Sequence, residues 1–416
     1  MSKHEIELSI IVTTYNVEKY IDKALSDVLN QTFKNFEVIV VDDGSTDKTK
    51  EIILSHAKSD KRIVPIFLLE NSPGGVATAA NVGLNHAKGK WVGFADGDDL
   101  FEPTMFEKLL SVAESSKADF SVCRFMEFDT KEGKKYEPWD KFWNTDICDL
   151  YKEEQKNIFL KLNPVPWRKL YRRDFLDENN IRFKECEYFF EDNSFHWFVT
   201  LNAHKVAYVD EALCYHRMNR IGQTMQVGGI RLLGVFFQFD VIKEYLEQKG
   251  LYSKYKLCLL QWLVGQSGWI ADALAPKFIV DFYQTLSTKL LNFSKKEVRC
   301  ALKENYGRKV TTLIVAAHKQ DLEMFKFAIQ DRKKGTLWHR LMIKSYQYGG
   351  VIRFLNVLIK EMRNKRRLKK IKIESLEERM AGIQWELSQI RKLMEINAIH
   401  QESLIEKMKN DEEKMR

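Results

Sequence analysis

The first 125 residues alternate between short apolar runs and segments whose apolar residues recur every three or four positions. The first run, 6–12, is continuously apolar, which is typical of a strand covered on both faces of a parallel sheet. Later runs lie at 36–41, 63–68, 91–95 and 120–123. The periodic segments lie near 17–29, 47–58, 75–87 and 103–116, with Asn16 expected to cap the first. This alternation predicts a doubly wound α/β domain built on a parallel sheet.

Beyond residue 125 the pattern changes twice. Residues 126–224 mix short strand-like and helical pieces, and we expect them to complete the first domain. Apolar residues at spacings of three and four over 225–345 indicate a helical region instead. We therefore predict an α/β domain at 1–224, a helical module at 225–358 that packs on it or binds an acceptor, and a tail at 359–416.

The tail combines a basic run with a heptad series. Residues 360–372 contain eight basic side chains and one acid, and nine of the eleven seam positions between 373 and 408 are apolar. Such strict 3,4 spacing predicts a coiled coil and a homo-oligomer, and isoleucine at the second seam position leaves a trimer or tetramer open. A lone amphipathic helix is the alternative. Next to anionic lipid, the basic run is expected to hold the protein at a membrane surface.

Composition excludes several classes of protein. The chain has 416 residues, a net charge of +8 and six cysteines without the paired spacing of zinc or redox sites. Its start lacks the features of a signal peptide, and its longest uncharged apolar-rich window, 257–271, is shorter than the ~20 residues that span a bilayer. We expect a cytoplasmic protein with reduced thiols, associated peripherally with the inner membrane surface.

Polar clusters follow three of the predicted strands, at 13–16, 42–47 and 96–99. The carboxyl ends of parallel strands meet at one edge of a sheet, where ligands bind in open α/β folds. The cluster at 42–47 also fits an ordinary turn with a helix cap. Asp96, Asp98 and Asp99 repel one another unless a cation compensates them, which favours a hard divalent metal.

The motifs for dinucleotide binding (GxGxxG) and for the P-loop are both absent from the sequence. A metal held on a diphosphate stabilises a leaving nucleoside diphosphate, while a carboxylate such as Asp42 accepts hydrogen bonds from base or ribose. These features indicate transfer of a group from an activated nucleotide.

The order of several motifs resembles glycosyltransferase family 2, whose members have the GT-A fold. The resemblance covers about residues 6–225 and is carried by SIIVTTYN, LNQTF, FEVIVVDDGSTD, residues 71–83, AKGKWVGFADGDD, PWRKLYRRDF, FFEDNSF and YHRMNRIGQT. It implies inverting sugar transfer from a nucleotide-sugar, with UDP the expected nucleotide and Mn²⁺ or Mg²⁺ as cofactor. The acceptor is expected to be a lipid-linked or polymeric surface glycan, such as a capsule, an O-antigen or a teichoic-acid-like polymer.

The resemblance also implies roles for individual residues. The base and ribose of the donor would contact Thr13, Tyr15 and Asp42, and its metal and phosphates would lie on Asp96 and Asp98. The general base would be Asp192 of the Glu191–Asp192 pair, which also fits a pair of carboxylates favoured at a helix N-terminus. In a late loop, His216 would be a further metal ligand and Arg217 a phosphate contact, or both would be structural.

Two further positions remain open. Trp167 is expected either to stack on an acceptor sugar or to be a core aromatic. Where many relatives carry Arg before Asn, this sequence has Ala79, Ala80 and Asn81, so the missing phosphate contact would come from Lys88, Lys90 or Arg217.

Three other functions compete with this interpretation. A catalytically silent coiled-coil assembly protein is the alternative from another class. A sugar-phosphate nucleotidyltransferase lacks its usual Gly-rich loop here. Nucleic-acid binding has only the basic run in its favour, and no nucleic-acid partner is expected.

Overall fold

A computed structural model describes residues 6–138, 149–186, 190–220, 229–304 and 306–330, together with Ser388. The chain divides into two compact units, Met1–Ile343 and Lys344–Arg416. The predicted basic run and heptad series lie outside the described residues, so the coiled coil stays a prediction. In the described part of the chain, no helix is both long and apolar enough to cross a bilayer. The five described cysteines are free thiols, as expected.

Nine strands of the described residues form one sheet. They are β1 Leu8–Thr14, β2 Phe36–Asp42, β3 Ile63–Phe67, β4 Trp91–Asp96, β5 Leu100–Phe101, β6 Phe120–Asp129, β7 Lys134–Tyr136, β8 Lys169–Arg172 and β9 Val206–Met218. The order is β3-β2-β1-β4-β8-β6-β9-β5, with β7 paired to β6. The five predicted strands are therefore present, and β1 continues to Thr14, two residues beyond the predicted end.

The prediction of a parallel sheet is correct for only half of it. Strands β1 to β4 are parallel, as their continuous apolar runs indicate. Strand β8 then enters antiparallel between β4 and β6, and β5 pairs antiparallel with β9. Strands β8 and β9 come from the mixed region after residue 125, and β5 is a two-residue strand before it. Their pairing depends on distant segments rather than on local periodicity. The result is a mixed sheet.

The described helices lie in two groups. Those of the α/β region are α1 Ile21–Leu29, α2 Thr49–Ser59, α3 Val76–His86, α4 Met105–Ser116, α5 Glu153–Phe159, α6 Arg173–Glu178 and α7 Glu191–Asn202. Those of the helical region are α8 Gly234–Gln248, α9 Tyr252–Ala273, α10 Ile279–Leu290, α11 Lys295–Ala301, α12 Gly307–His318 and α13 Leu322–Gln330. The helices predicted in the α/β region and in the described part of the helical region are confirmed, and the predicted module beyond residue 330 lies outside the described residues.

One predicted cap is wrong. Asn16 does not cap α1, which begins at Ile21 after Tyr20. Asn16 has a left-handed φ of 50°, and its side-chain Oδ1 accepts a hydrogen bond from the Thr46 backbone N–H at 2.8 Å. Its amide therefore joins two loops instead of ending a helix.

The sheet is covered on both faces. Leu8, Ile10 and Val12 of β1 belong to one buried cluster, with residues of α1 and α4. Ile11, on the opposite face, packs in a second cluster with residues of α3, α6 and α7. Because successive side chains of a strand point to opposite faces, this arrangement explains the continuous apolar run.

The helical region is bonded to α7. Asn202 near the end of α7 donates through Nδ2 to the Tyr245 hydroxyl of α8 at 2.6 Å, and Trp262 of α9 packs edge-on against Trp197. Helix α7, whose first turn contains the predicted base, therefore packs against α8 and α9.

Candidate functional site

Strand pairing brings the three predicted clusters to one edge of the sheet. In register, Thr14 lies opposite Asp42 and Thr13 lies opposite Asp96, all at the carboxyl ends of their strands. Thr13 Oγ1 donates to Asp96 Oδ1 at 3.2 Å. Tyr15 follows directly and is 43% exposed. The three polar clusters therefore meet at one edge of the sheet, as predicted, and binding of a ligand there stays a prediction.

Asp42 is held by its own loop. One carboxylate oxygen accepts from Thr14 Oγ1 at 3.0 Å and from Ser45 Oγ at 2.6 Å, and the other accepts from the Ser45 backbone N–H at 3.0 Å. Asp42 is only 2% exposed. The turn suggested by the sequence is thus present, and contact with a base or ribose stays a prediction.

The next carboxylate fixes the loop to residues 70–72. Asp43 accepts from Asn71 Nδ2 and from the Ser72 backbone N–H, both at 3.0 Å. Gly44 adopts φ 72°, and a Cβ there would lie 2.4 Å from the Glu70 carbonyl carbon. Glycine is required at this point both for the left-handed backbone and for the close approach of the two loops.

We call Asp96, Asp98 and Asp99, at the end of β4, the acidic edge. Asp99 accepts from the Arg217 backbone N–H at 2.8 Å and lies 3.3 Å from His216 Nδ1. Arg217 Nε donates to the Asp98 carbonyl at 2.6 Å, and Arg220 forms an ion pair with the Asp98 carboxylate. Strand β9 and the residues after it therefore bring cationic groups to the carboxylates.

Protonation equilibria at the acidic edge are strongly perturbed. Burial and the charges of Asp99 and Asp98 raise the pKa of Asp96 to about 8. Burial and Asp99 also raise the pKa of Asp98, against the opposing charge of Arg220. Burial lowers the pKa of His216, but the carboxylates outweigh it and raise this pKa to about 9. The imidazole is therefore cationic at neutral pH.

The donor set of the acidic edge fits a divalent cation. Asp96 and Asp98 supply hard carboxylate oxygens, and Mg²⁺ sites commonly combine one or two carboxylates with phosphate oxygens and water. The elevated pKa of Asp96 reflects buried negative charge that a cation relieves. Within the described ranges, no group of three or more His, Cys, Asp or Glu side chains is arranged to hold a metal. Asp96 and Asp98 therefore fit a cation whose remaining ligands would come from the phosphates of a donor. The His216 ring is engaged by Asp99.

Trp167 lies beneath His216. Its indole stacks on the imidazole with ring centroids 5.3 Å apart, meets Phe125 edge-on and is 4% exposed. These contacts match the first of the two roles expected for Trp167, that of a core aromatic. Stacking on an acceptor sugar stays a prediction.

Among the substitutes for the missing arginine, only Arg217 lies at the ligand edge. Lys88 and Lys90 precede β4, at the amino ends of the strands, where Lys90 Nζ pairs with Glu7 at 3.1 Å. Asn81 of α3 donates to the Phe183 carbonyl at 2.9 Å and to Glu185 at 2.8 Å. Of these three cations, Arg217 is therefore the one that contacts the acidic edge.

The second group of carboxylates, Glu191 and Asp192, begins α7, and we call it the α7 pair. Burial raises the pKa of Asp192 to about 6, against the opposing charge of Lys169. Burial and Asp192 raise the pKa of Glu191 to about 8. Between these two pKa values the pair holds one proton, and Glu191, which has the higher pKa, holds more of it than Asp192.

Buried Lys169, whose charge acts on Asp192, is fixed by two hydrogen bonds. Its ammonium donates to the Pro164 carbonyl at 2.8 Å and to His196 Nδ1 at 3.2 Å. His196 Nε2 donates to the Phe159 carbonyl at 2.8 Å, and burial lowers the pKa of this imidazole well below its usual value. His196 is therefore neutral and can accept from Lys169.

Several of these residues were not predicted as site residues. Asp99 was visible as part of a dense carboxylate cluster, and Arg220 as a cation in the late motif. Lys169, with Trp167, lay in the motif PWRKLYRRDF, which resembles the family's segment before the base, but its burial and partners were not predicted. His196 had no distinguishing signal.

The mixed α/β sheet, with polar clusters and buried carboxylates at the carboxyl ends of its parallel strands, defines a ligand-binding α/β fold. The sequence profile "Glycosyl transferase family 2" matches residues 9–179. Glycosyltransferase GlyG of Streptococcus pneumoniae serotype 4 is 30% identical over 230 residues, 53% of this chain and 73% of GlyG. The chain belongs to glycosyltransferase family 2.

Two other comparisons agree. Uncharacterized glycosyltransferase EpsJ of Bacillus subtilis is 33% identical over 217 residues, 51% of this chain, and the chain spans 61% of EpsJ. The fold is similar to that of S. aureus TarS 1-349 in complex with UDP-GlcNAc, with a TM-score of 0.61, 22% identity and coverage of 78% of this chain and 90% of that one.

Proposed function

We propose that the protein transfers a sugar from a nucleotide-sugar, with a UDP-sugar as the expected donor, to a hydroxyl of a lipid-linked or polymeric surface glycan, with inversion. The observation that carries the proposal is the acidic edge, where buried carboxylates and cationic side chains converge at the carboxyl ends of β1, β2 and β4. A diphosphate needs this combination, because cations bind its oxygens and carboxylates hold a metal.

The donor would lie across the ends of these strands. Thr13, exposed Tyr15 and Asp42 are proposed for base and ribose. Asp96 and Asp98 would hold Mn²⁺ or Mg²⁺, with His216 nearby, and the ion would supply positive charge to the leaving diphosphate. Arg217 is proposed to contact a phosphate. Its guanidinium packs over the Tyr20 ring at 4.9 Å, which limits its freedom.

The proton of the acceptor hydroxyl would pass to Asp192. In a single displacement, the acceptor oxygen bonds to the anomeric carbon while the bond from that carbon to the diphosphate breaks, and a base takes the hydroxyl proton. An ionised Asp192 with a pKa of about 6 suits this role at neutral pH, and Glu191 would stay protonated beside it. Trp167 remains the proposed acceptor contact.

The regions beyond the catalytic domain are proposed as a helical module at 225–358 and an oligomerising, membrane-associated tail at 359–416. The support is the heptad series and the adjoining basic run. Light scattering of the full chain and of a chain ending at residue 358 measures the oligomer, and flotation with anionic vesicles at low and high salt measures the membrane contact. A monomeric full chain contradicts the coiled coil.

The function itself is tested by mixing the protein with UDP-, GDP- and dTDP-sugars and measuring release of nucleoside diphosphate with Mn²⁺, with Mg²⁺ and with chelator. We expect metal-dependent UDP release from at least one UDP-sugar. Absence of release from every donor, by a protein that still forms oligomers, would favour the silent assembly protein.

A further inference from the structure

The helical region reaches the α7 pair through one side chain. Trp262 of α9 donates through its indole Nε1–H to Asn193 Oδ1 at 3.1 Å. Asn193 Nδ2 in turn donates to Asp192 Oδ1 at 2.9 Å and to the Phe190 carbonyl at 3.3 Å. Trp262 is 6% exposed and Asn193 is 3% exposed. A continuous hydrogen-bonded chain therefore runs from α9 to the Asp192 carboxylate.

This chain fixes the orientation of the Asn193 amide. A side-chain amide can rotate so that its oxygen and nitrogen exchange places. After such a rotation, Asn193 would present its oxygen, an acceptor, to the Asp192 carboxylate. An indole N–H can only donate a hydrogen bond. It is therefore compatible only with the rotamer in which Oδ1 faces α9 and Nδ2 faces Asp192. Asn193 is 3% exposed, so bulk solvent competes little for Oδ1. The Trp262 indole, together with the Phe190 carbonyl that accepts from Nδ2, thus fixes which group Asn193 presents to Asp192.

We propose that Trp262 and Asn193 are positioning residues, through which the helical region holds the Asp192 carboxylate in place as the general base. The inference rests on the proposed function of Asp192. The helical region is then part of the catalytic apparatus rather than a separate module, since Trp262, which donates the first of these hydrogen bonds, lies on α9.

Other groups also act on Asp192. Glu191 lies beside it on α7, and Lys169 and Tyr171 of β8 interact with it electrostatically. The test must therefore change the hydrogen-bonded chain and leave these charges in place.

The chain provides a matched pair of substitutions. Trp262→Phe removes the N–H that donates to Asn193. Trp197→Phe removes an N–H with no hydrogen-bond partner among the described residues, from a buried indole that packs against Trp262 at 6.4 Å. Both variants lose similar packing, and because Trp262→Phe also leaves Asn193 Oδ1 without a donor, we expect its melting temperature to decrease more than that of Trp197→Phe.

We expect kcat for UDP release to fall roughly five- to tenfold in Trp262→Phe, the effect of one hydrogen bond, and to change less than twofold in Trp197→Phe. The acid limb of the pH profile should move to higher pH only in Trp262→Phe, because Asp192 loses a donor to its charged form. KM for the donor should not change. Equal effects of the two substitutions on kcat and on the acid limb would overturn the inference.

Titration of the protein labelled with ¹³C at aspartate carboxyls tests the same point without a substrate. The Asp192 signal is the one lost in Asp192→Asn, and its pKa should rise in Trp262→Phe and stay in Trp197→Phe. No difference would overturn the inference. Full activity of Asp192→Asn would refute the base assignment instead, so the two failures are distinguishable.

Discussion

The acidic edge and the α7 pair both gather carboxylates in buried surroundings, but their charges are balanced differently. At the acidic edge, the cationic side chains of His216 and Arg220 contact the carboxylates directly. At the α7 pair, Asp192 accepts from a neutral amide, and the ammonium of Lys169 acts on it electrostatically. Direct cations suit a site for a multiply charged ligand, whereas Asp192, with a neutral donor and a pKa of about 6, is mostly ionised at neutral pH and can accept a proton.

The comparison predicts that removing one carboxylate has its largest effect at the acidic edge. Asp98→Ala should abolish sugar transfer, because it removes a metal ligand and leaves Arg220 without its partner. UDP release at saturating Mn²⁺ is the measurement. Asp210→Ala, which removes an exposed carboxylate of β9 paired with Arg124, is the control and should stay within twofold. Turnover of Asp98→Ala near that of the control would refute the metal assignment.

The next largest effect is expected at the α7 pair. Asp192→Asn should reduce kcat by ~100-fold or more, since it removes a general base with little change in shape. Donor affinity, measured by calorimetry with UDP and Mn²⁺, should remain. If Asp192 instead serves only the helix N-terminus, the melting temperature will fall and the rate will stay.

Substitution of Arg220 should affect donor KM, whereas substitution of Asp192 should affect kcat. Arg220→Gln should raise the donor KM roughly tenfold with little change in kcat, because it removes a cation where the diphosphate is proposed to bind. Arg62→Gln is the control, since Arg62 pairs with Asp60 at the start of β3, at the opposite edge of the sheet. A loss confined to kcat would place Arg220 in the chemical step instead.

The smallest effect is expected at Glu191. Because burial and Asp192 hold the pKa of Glu191 at about 8, this residue is already neutral at pH 7, and Glu191→Gln should keep kcat within roughly threefold. The acid limb of kcat should remain near pH 6 in both proteins, with activity rising as pH increases and Asp192 loses its proton. A loss as large as that of Asp192→Asn would show that ionised Glu191 is the base.

Local sequence patterns determined much of the fold and one half of the site. Continuous apolar runs predicted β1 to β4 and β6 because burial on both faces leaves a local record in the sequence. The polar residues that end β1, β2 and β4 predicted the ligand edge because parallel strands of similar length end together. Asp96 and Asp98 were therefore recognisable before any contact was known.

Tertiary structure alone decided how the buried charges are compensated. Asp99 and the Arg217 backbone N–H that binds it are 118 positions apart, and Trp262 is 69 positions from Asn193. No local periodicity predicts that β8 inserts between β4 and β6. Strand β8 nevertheless carries Lys169, whose charge acts on Asp192. Local spacing records which faces are buried, whereas the partner of a buried charge depends on strand order and helix packing that only the folded chain establishes.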